Sequence, residues 1–227
     1  MSDTAPPSGA ADKSASPLGR AEMVVRVIAQ TAVDNETYFC ELDAVVGDGD
    51  FGYSLARGFE VVLGDWEAME YSDVSGLLKK TAIVLSKRIG GTSGPIWGTA
   101  FLRAGGSLTN SPEPSGEEVI AAMRAAIEGI KQRGNTDLGD KTLLDALVPA
   151  VDTLEAALSD GAGVAIERAA ATAREKAEAT KGMLAMRGRA SYTGERSRDS
   201  VDAGAIGIAV MFEAVSKAWQ EAELELA

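Results

Sequence analysis

Three carboxylates fall within eight residues of one another in the segment Leu42-Asp43-Ala44-Val45-Val46-Gly47-Asp48-Gly49-Asp50-Phe51-Gly52. Carboxylates so crowded repel each other unless something positive sits between them. Hard divalent cations such as Mg²⁺ bind through carboxylate oxygens, water and substrate phosphates. The interleaved glycines let backbone amides and carbonyls approach a ligand closely. The first reading is therefore a metal–phosphate site, set against a plain surface turn rich in Asp-Gly pairs. Gly47, Gly49 and Gly52 also match the dinucleotide fingerprint by spacing, but the flanks read as helix where that motif requires a strand. An EF-hand fails as well, because position 12 counted from Asp48 is Phe59 rather than Glu.

Three more segments carry residue types suited to anions. Gly90-Gly91-Thr92-Ser93-Gly94-Pro95 precedes an apolar helical pattern. Pro95 suits a first helical turn and Ser93 an N-cap. Open amides at such a helix start favour phosphate, although a simple helix–helix connection accounts for the same residues. Gly134-Asn135-Thr136-Asp137-Leu138-Gly139-Asp140-Lys141-Thr142 is a near miss to a P-loop, with Asp140 intruding before Lys141 and no strand ahead of it. It reads either as a capped helix start or as a nucleotide-contacting turn. Arg187 to Arg198 holds four arginines in an otherwise acidic chain. That is a solvated basic loop or a set of phosphate forks. Asp202-Ala203-Gly204 then opens the last helix.

The elements that must position these loops are helices. Apolar residues recur at helical spacing over Arg20 to Val33, Asn35 to about Val46, Tyr53 to Trp66 and Val74 to Ile89. The same spacing recurs after Pro95 and over Glu117–Arg133, Thr142–Leu158, Val164–Met186 and Ala203–Leu224. There is no βαβ alternation and no repeat of fixed period. The pattern predicts an all-α fold of about eight helices in a bundle or barrel. Residues 1–18, rich in Ala, Ser and Pro, read as a disordered tail, and 19–227 as one domain.

Composition narrows the chemistry. The formal net charge of −12 disfavours nucleic acid and anionic membrane surfaces as partners. No run reaches the roughly 20 apolar residues of a membrane span. Cys40 is the sole cysteine, so no intrachain disulfide forms and a reducing compartment, the cytoplasm, is expected. The absence of histidine excludes a histidine base, a phosphohistidine and any histidine-ligated metal.

Taken in order, the blocks LDAVVGDGDFG, GGTSGPIWGTAFLRAG, GDKTLLDALVPA, KGMLAMRGRASYTGERS and VDAGA resemble the L subunit of dihydroxyacetone kinases from about residue 40 to the C-terminal helix. The resemblance implies an antiparallel eight-helix barrel whose loops at one end hold ADP or ATP with two Mg²⁺ ions. It puts the metal ligands at Asp43, Asp48 and Asp50, which with Arg189 carry the catalytic roles. It puts nucleotide contacts at Phe51, Gly52, Tyr53, Ser54, Thr92, Ser93, Gly134, Leu143, Arg189, Asp202, Ala203 and Gly204. Two positions depart from the family pattern: Phe51 stands where histidine is usual, and Ala203 where proline is usual. Phe51 offers no ring nitrogen and can only pack or stack.

In that family the ketose is bound covalently to a histidine of a separate K subunit. The implied function is thus the nucleotide half of a two-component kinase acting on dihydroxyacetone or a related ketose such as erythrulose. Its phosphoryl donor is left open between ATP and a phosphotransferase protein. Rival readings are a regulatory module of the same fold, which binds nucleotide without turnover, and an all-α carrier of a small apolar molecule.

Overall fold

The structure, a computed structural model, describes residues 15–226, and among them there is no strand. The helices, in chain order, are α1 (Pro17–Asp34), α2 (Glu36–Ala44), α3 (Phe51–Gly64), α4 (Val74–Arg88), α5 (Ser93–Ser107), α6 (Gly116–Gly134), α7 (Leu144–Ala156), α8 (Ala162–Ala179) and α9 (Ala203–Leu226). Short 3₁₀ turns follow α3, α7 and α8, and a longer 3₁₀ stretch spans Arg189–Asp199.

Local chemistry sets these boundaries. Ser16 caps α1 by accepting the Gly19 N–H at 3.1 Å, and Pro17 takes the first helical turn. The helix therefore starts three residues ahead of the Arg20 expected from the apolar stripe. Of the expected tail, residues 1–14 lie outside the described residues, while Pro17 and Leu18 belong to α1. Ser115 and Glu118 form a reciprocal capping box at the start of α6, and Asn135 ends that helix in the left-handed region at φ 46°. The expected helix Val164–Met186 stops at Ala179. There the Thr180 hydroxyl donates to the Ala177 carbonyl at 2.6 Å and accepts the Asp202 N–H at 2.8 Å, diverting the chain into a 3₁₀ turn. Ser93 is not an N-cap either: it is the first residue of α5, and Thr92 holds the cap position without a side-chain bond to the helix.

Each long helix packs on the next, and α9 returns to α1, so neighbour relations run α1–α3–α4–α5–α6–α7–α8–α9–α1. The short α2 sits outside this cycle, against α3 and α9. The interior is filled by Phe39, Leu55, Phe59, Leu77, Leu85, Leu144 and Ile206, all essentially inaccessible to solvent. Truncating one such leucine to alanine costs about 2–5 kcal/mol. On α8 the inward row is Ala165, Ala169, Ala173 and Ala177, one methyl every fourth residue. These let α7 and α9 approach α8 closely.

Alternate connections around the cycle meet at one end. The Gly90 backbone faces the Ser54 hydroxyl of α3, Gly134 faces Ile96 of α5, and Gly204 of α9 lies against Leu143 at the start of α7. The Arg187 Nε donates to the Asn135 carbonyl at 2.6 Å, joining the α8–α9 connection to the α6–α7 turn. No described helix is long and apolar enough to cross a membrane.

Candidate functional site

Asp43 lies in the last turn of α2, and the chain then reverses through Val45–Gly49 into Asp50, which holds the cap position of α3. The reversal brings carboxylate oxygens of Asp43, Asp48 and Asp50 within 4.8 Å of one another. Two glycines make this possible. A Cβ on Gly47 would lie 2.3 Å from Asp43 Oδ1 and 2.8 Å from the Asp43 carbonyl, and Gly49 adopts φ 74°. Asp43 is half-buried, and Asp48 and Asp50 are exposed.

Burial pushes the Asp43 carboxyl above its ordinary range, aided by the charges of Asp48 and Asp50; backbone N–H groups of Phe51 and Gly49 donate to it and oppose the shift. The cluster thus gathers three oxygen donors and lacks positive charge of its own. Part of that charge comes from Arg189, whose Nη1 bonds Asp48 and lies 3.1 Å from Asp50 Oδ1. The two carboxylates, Asp50 first, raise the guanidinium pKa further. A cluster of hard oxygen donors at this spacing, with an arginine already drawn to it, fits Mg²⁺.

The remaining expected contacts line the same end. Phe51 turns its ring inward, 6.0 Å from the Phe39 ring and against Gly207 of α9, so what it presents toward Asp43 is its backbone amide. Gly52 is pressed on α2, where a Cβ would meet the Glu36 carbonyl at 2.0 Å. Tyr53 is exposed, its N–H donates to Cys40 Sγ at 3.2 Å, and Arg57 lies over its ring. Thr92 and Ser93 stand at the start of α5, where no side-chain cap occupies the terminal amides. Ala203 is the first residue of α9, a position where proline and alanine are both accommodated.

Asp202 caps α9 by accepting the Ala205 N–H at 2.7 Å. Its carboxyl is pushed up to about 7, first by burial and then by Asp145, with Asp43 adding to the effect; the Ala205 N–H and Lys141 oppose it. The acidic field of the aspartate loop therefore extends to the last helix.

The roles of two residues at this end escaped the sequence reading. Asp145 is buried and accepts the N–H groups of Gly139 at 2.6 Å and Thr142 at 2.7 Å, so it shapes the 139–142 turn. Lys141 is buried with φ 61° and bonds only backbone carbonyls in the hydrogen bonds it makes. An aspartate three residues after Thr142 is a signal for the first. The second has none, because lysine is expected at the surface.

A groove of about 760 Å³ between α4, α5 and α6 is lined by Lys79, Leu102, Arg103 and Arg133 among others. None of the candidate residues lines it. It is open and partly cationic, which gives no support to an enclosed apolar carrier cavity.

Comparison with known proteins identifies the family and the fold. The family model of the DAK2 domain matches residues 45–217. The chain is 36% identical over 186 residues to the PEP-dependent dihydroxyacetone kinase, ADP-binding subunit DhaL, of Escherichia coli (strain K12), spanning 81% of this chain and 89% of that one. It is 35% identical over 199 residues to the L-erythrulose 1-kinase of Mycolicibacterium smegmatis, spanning 86% of this chain and 34% of that one. Among solved structures, the dihydroxyacetone kinase from C. freundii in complex with AMP-PNP and Mg²⁺ superposes with a TM-score of 0.71 at 24% identity, over 96% of this chain and 37% of that one. The last likeness establishes the fold. The chain spans most of the subunit-sized relative and about a third of the longer kinases.

Proposed function

The chain belongs to the DAK2 domain family and is DhaL-like, and from that premise we propose that it is the nucleotide-binding subunit of a two-component ketose kinase. The observation that carries this reading is the trio Asp43, Asp48 and Asp50, with oxygens within 4.8 Å of one another beneath the Arg189 guanidinium. These aspartates would hold two Mg²⁺ ions, which neutralise charge on nucleotide phosphate oxygens when bound. Arg189 and the amides at the start of α5 offer further donors to phosphate. Phosphoryl transfer asks mainly for positioning and electrostatic stabilisation, and these residues supply both.

The nucleotide is ADP or ATP, set among Phe51 to Ser54, Thr92, Ser93, Gly134, Leu143 and Asp202 to Gly204. The acceptor is a short ketose, dihydroxyacetone or erythrulose, substrates named in two of its relatives. These 227 residues contain no histidine, so a ketose held through histidine sits outside them, on a K-type subunit. A phosphotransferase protein is a second partner if ADP stays bound between cycles. The cytoplasm suits both the free Cys40 and these partners.

The test is calorimetric titration with ADP and with AMP-PNP, each with Mg²⁺ and with a chelator. Binding should require Mg²⁺ and be abolished in Asp48→Ala. The protein alone should not phosphorylate dihydroxyacetone. Metal-independent binding, unchanged affinity in D48A, or robust turnover without a partner would count against the reading.

A further inference from the structure

Lys141 is 2% exposed and occupies a left-handed backbone conformation, both unusual for lysine. Its ammonium donates to the carbonyls of Met183 at 3.2 Å, Ser197, and Ser200 at 2.6 Å. An ammonium has three donors, and all three go to the backbone of one segment. That segment, 183–200, carries Arg189.

The same turn makes other ties to it. The Met186 N–H donates to the Asp140 carbonyl at 3.0 Å, and Arg187 Nε lies 3.3 Å from the Asp140 carboxylate. Within the segment, the Ala185 N–H donates to the buried Ser197 hydroxyl at 3.0 Å. A buried charge is a costly way to fill space, and an apolar residue of similar volume often serves stability as well or better. What the ammonium adds is direction: it fixes the backbone before and after Arg189.

We propose that Lys141 is a positioning residue of the phosphate site, fastening the 183–200 segment so that the Arg189 guanidinium is held over Asp48 and Asp50. The assignment rests on reading that cluster as the nucleotide–Mg²⁺ site. Removing the ammonium would take a donor from three carbonyls, leaving that of Ser197 only the Ser200 hydroxyl at 3.1 Å, and release the segment, while the helices that form the core keep their own contacts.

The experiment is a double-mutant cycle read by calorimetric titration of ADP with Mg²⁺. Lys141→Met should weaken binding about tenfold when Arg189 is present, the scale of losing charge-assisted bonds. In an Arg189→Ala background the same change should have less than about a twofold effect. Lys141→Arg, which keeps charge and donors, should recover part of the affinity. Equal weakening in both backgrounds, or none in either, overturns the proposal and leaves the nucleotide site standing. Arg189→Ala binding as tightly as the unaltered protein overturns it as well. Loss of helical circular dichroism in both Lys141 variants assigns the residue to the fold and overturns it too. Failure of the nucleotide-site reading itself shows separately, as binding that ignores both Asp48→Ala and the chelator.

Discussion

Arg189 Nη1 stands 3.1 Å from Asp50 Oδ1 and bonds Asp48, so one guanidinium from the α8–α9 connection closes over the acidic loop between α2 and α3. Both sides of the contact are largely exposed, so the pair adds little to folding stability. On the proposed reading its value lies in the ligand. Arg189→Ala should leave the melting temperature of the unliganded protein within about 2 °C. It should weaken ADP–Mg²⁺ binding roughly 10- to 100-fold, the range for losing a charge-assisted bond to phosphate. Calorimetry and a melting curve on the same sample decide it.

Gly47 is where the loop tolerates no side chain, since a methyl group would overlap Asp43 Oδ1. Gly47→Ala should keep its helical content yet displace the Asp43 carboxylate, lowering Mg²⁺-dependent nucleotide affinity by at least about tenfold. Saturating ADP and Mg²⁺ at about 100 times Kd should stabilise the unaltered protein by about 2.7 kcal/mol. Thermal shift with and without ligand should show that gain largely lost in the variant.

Phe51, where the resemblance leads one to expect histidine, buries its ring against Phe39 and Gly207. Phe51→His would put a polar ring into that apolar contact, so stability should fall by about 1–3 kcal/mol. Nucleotide affinity should change by less than about threefold, because the amide that Phe51 presents toward Asp43 is unaltered. Urea unfolding monitored by tryptophan fluorescence reads the first quantity and titration the second. A large gain in affinity would mean that the imidazole reaches the ligand after all.

Asp202 gives the unliganded protein a pH signature. Its carboxyl sits at about 7 in the folded state against an ordinary 3.8. Between those values the unfolded chain has released the proton that the folded protein keeps, so stability falls as pH rises through this window. The contribution is fully present below about 3.8 and gone above about 7. Asp202→Asn keeps the oxygen that accepts the Ala205 N–H and has no proton to lose. The stability of the variant relative to the parent should therefore rise from pH 4 to pH 8, measured by urea unfolding without nucleotide or metal. A flat difference across that range would show that Asp202 is ionised throughout.

The helices and the acidic loop were legible because their signals are local. Apolar spacing marks α4 and α6 almost to the residue, and the glycines around Asp48 announce a tight turn before any tertiary contact is known. The end of α8 was not legible, because apolar residues Met183, Leu184 and Met186 continue past Thr180 and the hydroxyl that stops the helix is engaged by Asp202, more than twenty residues away. Arg189 was singled out as a phosphate ligand, but its pairing with Asp48 and Asp50 joins positions about 140 residues apart. Lys141 was read only within the near miss to a P-loop, and its burial was hidden for the same reason: its partners are carbonyls, and a carbonyl has no letter in the sequence.

The alanine row on α8 has an effect beyond packing. α8 is flanked by α7 and α9, and the first turns of those two helices touch through Leu143 and Gly204. Four methyl groups, at Ala165, Ala169, Ala173 and Ala177, thus gauge the gap between the two walls. A single leucine there would act as a wedge, and its strain would surface at the loops. The spacing of the loops that carry Leu143 and Gly204 is thus set from inside the core, by methyl groups rather than by the loops themselves.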